Sequence, residues 1–514
     1  MSVPKPLVFL CVALVASIQI FAQNQAIHQH KNFSTKKGSF NFTGDGFSLS
    51  YDSTTGQCEI LSSGFKPRQL AQTNEQRSAI EATTGLTYLV KDIDKDKDSY
   101  PQDNEFNTFN WYYAVLDNVI YFAADDGIHG SELWRSDGTD SGTYIVADIN
   151  AGNEGSSPTN IIVSGNKIFF AATTPSRGQE LWVSDGTEAG TKLVRDILSQ
   201  SQSSYPEAIT NVNGIAYFLV SLAHYHDQLW KSDGTQGGTT MVKDLYLNGL
   251  SGGIYQFTAA NNLLFFTAGS ASTGQELWRS DGSESGTFMV SDIDPGSGAS
   301  YPAQLTFFNN RLYFSAFDGA NRLLWETDGG SGGTHPVSGN NNIQLPGGFT
   351  LPFVIGPFAI SNNALCFMGY AASTGWELYK YSDSAGVVLV ADILPGTQGY
   401  YMSTSYRPEM ADLAGSLFFR YKDSAANNYQ LWTSTTSGTK KIRAFDNGSF
   451  FNNLVNGKTV LYFIAFDSTY GTELWKSNGK TSGTVPIDVY PGSTSSNALY
   501  LTLVGNKLFF SGAS

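Results

Sequence analysis

Residues 131–148 read SELWRSDGTDSGTYIVAD, and the same phrase returns as QELWVSDGTEAGTKLVRD at 179–196, DQLWKSDGTQGGTTMVKD at 227–244 and QELWRSDGSESGTFMVSD at 275–292. Weaker copies stand around Trp325, Tyr379, Trp432 and Trp475. The eight anchors at 134, 182, 230, 278, 325, 379, 432 and 475 are spaced by 48, 48, 48, 47, 54, 53 and 43 residues. A period of this length confines the chain to an array of one supersecondary unit, each copy burying its faces against its neighbours.

Within the second copy, Ile161 to Val163, Lys167 to Ala171, Glu180 to Val183 and Thr191 to Val194 read as four strands rich in Val, Ile, Phe and Thr. Between the third and fourth, Ser184-Asp185-Gly186-Thr187 is a hairpin signal: Gly takes positive φ cheaply and Asp bonds the turn's own N–H groups. No long segment of helical period interrupts the pattern. Leu181 and Trp182 are adjacent, so on a strand they point to opposite faces, and both faces need cover. Small sheets stacked face to face supply it, which a one-sided sandwich does not. The sequence therefore predicts an all-β chain: a β-propeller of four-stranded blades built from eight repeats of ~48 residues. An open solenoid is the alternative.

The ends of the array are complementary. Thr87 to Asp92 matches the fourth strand of a unit whose earlier strands are missing, apart from a trace at Arg68-Gln69-Leu70. Leu499 to Val504 and Lys507 to Phe510 match the first two strands of a unit with no ELW segment after them. The halves predict either a composite closing blade, which would remove the exposed edges of an open array, or a truncated piece of a longer protein.

Ahead of the array, Lys5, the apolar stretch Leu7 to Phe21 and Ala22 have the order of a secretory signal peptide, predicted to be residues 1–22. Leu10 before Cys11 departs from a lipoprotein signal. Residues 23–64 are expected to be a β-rich extension, with a hairpin or strand pair in 38–62, and residues 65–514 the propeller. No later run of about 18 apolar residues predicts a membrane span. The mature chain keeps only Cys58 and Cys366, too few for a disulfide framework, and the run Ala364-Leu365-Cys366-Phe367-Met368 makes Cys366 a core residue. The excess of 45 acidic over 31 basic residues, a net charge of −14, disfavours nucleic acid as a partner by repulsion.

The phrase ELWxSDGT and its spacing resemble the ELWxxDGT repeat proteins, exported proteins of Bacteroidota-like bacteria. The resemblance covers roughly residues 84 to 514 and is intact at Trp134, Trp182, Trp230 and Trp278. After Trp325 the Asp328-Gly329 pair lacks the following Thr, Asn478 replaces the Asp after Trp475, and the pair is lost after Tyr379 and Trp432. The resemblance implies secretion, often by a type IX route, and a propeller-like body; it implies no established enzymatic activity.

Candidate sites divide into those that recur and those that do not. Trp134, Trp182, Trp230, Trp278, Trp325, Trp432 and Trp475 read as structural repeat residues. So do the turn residues Asp137, Asp185, Asp233 and Asp281, which cap hairpins as the Asp boxes of other propellers do. Glu132, Glu180, Glu276, Glu377 and Glu473 recur in the same way, whereas a catalytic carboxylate pair breaks repeat symmetry. Asp94, Asp96, Asp98 and Glu105 match positions 1, 3, 5 and 12 of a calcium loop, so calcium is the one cofactor considered, although Ser99 replaces the required Gly and Ser-Tyr-Pro recurs in ordinary connectors. His224 and His226 suggest a shared metal without a third ligand. The connector holding Tyr400, Tyr401, Tyr406 and Arg407 is aromatic enough to stack on a sugar or anchor a protein.

With no asymmetric carboxylates evident, the sequence points to a non-enzymatic secreted or cell-surface binding or adhesion module for a polysaccharide or protein partner. An extracellular structural subunit that self-associates is the alternative, and a propeller-type glycoside hydrolase or lyase comes last. A unique acidic residue such as Asp96 or Asp227 would have to be essential for the last to hold.

Overall fold

The computed structural model of the 514-residue chain describes four strands between residues 33 and 62 by their backbone, then residues 90, 91 and 93. From 113 to 511 it describes all but 223–225, 247–249, 338–357, 396–409, 424–425, 447–450, 488, 490–492, 494 and 497. The chain divides into two units, Met1–Leu86 and Thr87–Ser514. The first holds one antiparallel meander, Phe33–Lys36, Ser39–Gly44, Phe47–Asp52 and Gln57–Ser62. This corrects the expected hairpin or strand pair to a four-stranded sheet, because short turns join every strand in 33–62 to the next. The signal segment 1–22 lies outside the described residues.

The second unit is the propeller. It contains eight four-stranded antiparallel sheets and one two-stranded sheet, each running in chain order, numbered here as blades 1 to 9. Blade 2 is typical: Thr159–Ser164, Lys167–Thr174, Gly178–Ser184 and Lys192–Leu193. Blade 3 comprises Pro206–Val212, Ile215–Leu222, His226–Ser232 and Thr240–Asp244. First strands of successive blades touch one another, so they line the axis and the fourth strands lie outermost. Among the described residues no helix is long and apolar enough to cross a membrane.

Alternation of side chains explains the stacking. In the second and third strands of blade 2, Phe170 and Trp182 turn toward blade 1 and pack with Tyr121 and Leu133. Phe169, Leu181 and Val183 turn the other way, onto Phe218 and Val220 of blade 3. Phe169, Phe170, Leu181 and Phe218 are all fully buried, and each such side chain contributes about 1.5–3 kcal/mol of burial. The adjacent Leu and Trp of the repeat thus bind a blade to both neighbours. Cys366 is a buried free thiol in blade 6 beside Met368 and Leu378, and burial pushes it up to about 11.

The first strands of blades 2, 3, 4, 5, 8 and 9 each carry a bulge where a non-glycine residue takes positive φ: Asn160 (53°), Ala208 (51°), Gln256 (59°), Gln304 (61°), Asn453 (58°) and Tyr500 (56°). The bulge shifts the register between Glu207 and Thr210 in blade 3 and re-aims the side chains at the axial rim.

Leu499–Val504 and Lys507–Ser511 form blade 9, whose second strand reaches blade 1. Lys507 Nζ donates to Asp137 O at 3.1 Å, repeating the 2.8 Å bond from Lys167 in blade 2 to Asp233 O in blade 3.

Candidate active site

The repeated carboxylates of the ring are committed to building it. Asp137 Oδ1 accepts from the Thr139 N–H at 2.9 Å and its hydroxyl at 2.7 Å, while Thr139 Oγ1 accepts from the Gly142 N–H at 2.9 Å. Asp185, Asp233 and Asp281 close their turns the same way, and those hydrogen bonds hold their carboxyls below the ordinary range. These aspartates build the hairpin. The repeat Trp rings lie along the Phe of the second strand, as in Phe266–Trp278 at 6.3 Å and Phe463–Trp475 at 6.4 Å. Trp134, Trp182, Trp230 and Trp432 sit opposite Phe122, Phe170, Phe218 and Phe419, and Trp325 opposite Phe314.

The repeated glutamates clamp connectors. Glu180 accepts from the Ile197 N–H at 3.2 Å and the Ser204 hydroxyl at 2.7 Å; Glu276 accepts from the N–H groups of Ile293 at 3.1 Å and Ser300 at 3.0 Å. Glu377 accepts from Ile393 at 2.6 Å and Glu473 from Ser496 at 2.8 Å. All four are fully buried. Burial pushes the carboxyls of Glu180, Glu276 and Glu377 up to about 7.

Because these three bind protons more tightly folded than unfolded, the folded chain holds more protons between their ordinary 4.5 and about 7. Their stabilising effect is complete below that window and declines as pH rises through it. The turn aspartates act oppositely, losing their contribution as pH falls below 3.8. Thermal melting followed by circular dichroism should therefore peak near pH 5 and fall by roughly 5 °C toward pH 8. The triple variant E180Q/E276Q/E377Q, which fixes the neutral form, should flatten that fall; an unchanged slope would refute the assignment.

Blade 3 departs from the pattern. Where blades 1, 2 and 4 have Gly-Ser-Glu, Gly-Gln-Glu and Gly-Gln-Glu before Leu-Trp, blade 3 has His226-Asp227-Gln228. Gln228 has no clamp to make, since the Leu245 and Tyr246 N–H groups bond Asp227 O directly and the connector crosses early. Its Oε1 instead accepts from Trp230 Nε1 at 3.0 Å and its Nε2 donates to Asp244 Oδ2 at 3.1 Å. His226 Nε2 lies 2.8 Å from the same Asp244 oxygen, and its ring lies 4.7 Å from that of Tyr246.

On the opposite face, Asp227 pairs with Ser221, and Glu207 pairs with Leu219 two residues along the same strand, so both carboxyls share one side of the sheet. Ser221 Oγ donates to Asp227 Oδ1 at 2.7 Å. Desolvation raises Asp227 above the usual carboxylate range, opposed by the Ser221 bond. Desolvation raises Glu207 as well, and the neighbouring Asp227 charge adds to it. Glu207 is exposed and Asp227 half-buried, so solvent reaches the pair. The corresponding residues elsewhere are Thr159 and Ala303 for Glu207, and Ser131, Gln179 and Gln275 for Asp227. This is an asymmetric carboxyl pair, which sequence reading had found absent. The two residues are separated along the chain, and only comparison of each position across copies marks them.

The other candidates are not brought together. Asp94, Asp96, Asp98, Glu105, Tyr400, Tyr401, Tyr406, Arg407 and His224 lie outside the described residues. Among the described residues no group of three His, Cys, Asp or Glu could hold a metal ion.

No family model matches the chain, and no curated protein matches it. Solved structures do. Puromycin hydrolase is similar at 11% identity and a TM-score of 0.36, over 75% of this chain and 54% of that one. The β-propeller domain of the Trilobed protease from Pyrococcus furiosus, described as an open velcro topology, is similar at 9% identity and a TM-score of 0.33, over 65% of this chain and 96% of that domain. Acylaminoacyl peptidase from Pyrococcus horikoshii is similar at 10% identity and a TM-score of 0.33, over 65% and 52%. The chain thus spans about half the length of the whole peptidases it is similar to. Likeness at this level is likeness of fold, an all-β propeller. The expectation of a non-enzymatic binding or adhesion module is contradicted to this extent: the solved structures to which the chain is similar include puromycin hydrolase, acylaminoacyl peptidase and prolyl endopeptidases.

Proposed function

We propose that the chain is an exported hydrolase whose acid–base machinery is the Glu207–Asp227 pair on blade 3. The observation that supports this reading is that these two carboxyls share one sheet face and stand outside the recurring acidic positions, which build turns and clamp connectors. Neighbouring like charges cannot both ionise freely, so their proton affinities are driven apart. Ser221 donates to Asp227 and favours its anion, which makes Asp227 the base that activates water. Glu207, whose proton affinity is raised by desolvation and by the Asp227 charge, is the group assigned to deliver a proton to the leaving group.

The test is hydrolysis by the purified chain of panels of fluorogenic peptides, esters and glycosides. D227N and E207Q should each lower kcat/KM by about 100-fold or more while leaving the melting temperature in place, whereas E188Q at an exposed turn should do neither. Turnover that survives both substitutions, or no turnover on any substrate class, would overturn the assignment.

A further inference from the structure

One rung of the ring escapes the repeat. Where Asp227 stands in blade 3, two residues before the Leu of its unit, blades 1, 2 and 4 have Ser131, Gln179 and Gln275, and blade 5 has Arg322. Blade 5 comprises Ala303–Phe308, Arg311–Phe317, Arg322–Thr327 and His335–Pro336. Arg322 opens the third strand opposite Phe317, so both side chains lie on the face that Leu324 turns toward blade 6. From there the guanidinium reaches across the second strand to the start of the first: Nη1 donates to Tyr301 O at 2.9 Å and to Ser315 Oγ at 3.2 Å. Its Nε and Nη2 have no hydrogen-bond partner among the described residues and are not sealed from solvent.

The bonds made by Nη1 do not require a cation. In blade 4, Gly253 and Thr267 hold the places of Tyr301 and Ser315, and the neutral Gln275 makes both equivalent bonds, its Nε2 donating to Gly253 O at 3.2 Å and to Thr267 Oγ1 at 3.3 Å. The charge of Arg322 and the second edge of its fork are therefore surplus to the fold. That charge is also uncompensated. Among the described residues no carboxylate pairs with it, whereas Arg177 and Arg443 pair with Asp196 and Asp467. Burial pulls the Arg322 guanidinium down to about 10. Leu323 stands where Glu180 and Glu276 supply a clamp in blades 2 and 4, and the connector that leaves blade 5, residues 338–357, has no Asp or Glu in its sequence. A partly desolvated cation without a counter-charge is costly until an anion joins it.

We infer that Arg322 anchors a binding site for an apolar carboxylic acid, its carboxylate held side-on by the Nε and Nη2 edge of the guanidinium with Phe317 beside it. That edge presents two parallel N–H donors, the spacing that matches the two oxygens of a carboxylate. Phe317 is half-buried and replaces Thr173, Ser221 and Gly269 of blades 2 to 4, so the wall beside the fork is aromatic where other blades are small or polar. A phosphate dianion would meet one cation and an apolar ring there, which suits a monoanion with a hydrocarbon body better. Glu207 and Asp227 lie two blades away, so the site fills whether or not that pair is catalytic.

The test is calorimetric titration of the full chain with benzoate, with its neutral isostere benzamide and with inorganic phosphate. Benzoate should bind saturably, about tenfold or more tighter than benzamide and tighter than phosphate. Arg322→Gln copies the residue of blade 4 and keeps its bonds, so it should weaken benzoate about tenfold or more while leaving the melting temperature of the free protein in place. Phe317→Ser, which copies blade 3, should weaken benzoate about threefold. No saturable binding of benzoate, equal affinity for benzamide, tighter binding of phosphate, or benzoate binding untouched by Arg322→Gln each overturns the proposal. The comparison of the three probes leaves the protein unaltered, so it decides the matter even if a variant folds poorly.

Discussion

Phe218→Ala is expected to destabilise the propeller by about 3–5 kcal/mol, the largest effect of any single substitution considered. Phe218 is fully buried and lies between two blades: Leu181, Val183 and Val194 of blade 2 on one side, and its own blade's Trp230, 6.5 Å between ring centroids, on the other. Removing the ring empties a space that neither sheet can close, because hydrogen-bonded strands hold the two faces apart. The loss is therefore transfer energy plus an unfilled cavity. Phe122→Ala is the informative partner. The same position in blade 1 faces blade 9, which has two strands among the described residues, and is half-buried, so the same truncation should cost less than half as much. Denaturant melts of the two variants check this, and equal losses would mean that blade 1 is as well covered as blade 3.

The contrast between those two phenylalanines also marks how far sequence reading reached. Strands, hairpin turns and the two-faced packing of Leu181 and Trp182 were legible, since each is written within a few residues and repeated down the chain. The near-continuous apolar run in Lys167–Thr174 and the Leu-Trp pair in Gly178–Ser184 needed no tertiary information. The matching chain ends were legible as well, but not the contact of blade 9 with blade 1, which joins Lys507 to Asp137 across 370 residues. The extension in 23–64 yielded less: without a repeat to align, its four strands read as two. The carboxyl pair was missed because a local search looks for neighbours along the chain, while Glu207 and Asp227 become neighbours only when three strands of blade 3 assemble. Of the two, Asp227 stands out in the sequence as a unique acidic residue, as Asp96 does, while nothing local marks Glu207.

Gly274→Ala is expected to cost about 2–4 kcal/mol although it adds a single methyl group. Gly274 opens the third strand of blade 4 at a φ of +60°, and a Cβ there would lie 1.8 Å from the carbonyl oxygen of Gly298. Gly298 belongs to the connector that Glu276 clamps through Ile293 and Ser300, so the backbone cannot move aside without breaking those bonds. Gly130 and Gly178 also press on their own connectors, where a Cβ would meet backbone atoms at 2.5 Å. Blade 3 explains why glycine is required there and not everywhere. Its residue at this position is His226, which does not adopt positive φ, and its connector bonds Asp227 O directly through Leu245 and Tyr246. No long connector presses on the strand start, so a side chain fits, and the clamp glutamate gives way to Gln228. His226→Gly should accordingly cost under about 1 kcal/mol, chiefly the loss of its bond to Asp244 and of backbone restriction. Comparison of the two melting temperatures tests the coupling between glycine, clamp and connector: if Gly274→Ala proves as mild as His226→Gly, the connector yields, and the loss of the clamp in blade 3 is not what made room for the asymmetric carboxyl pair beside it.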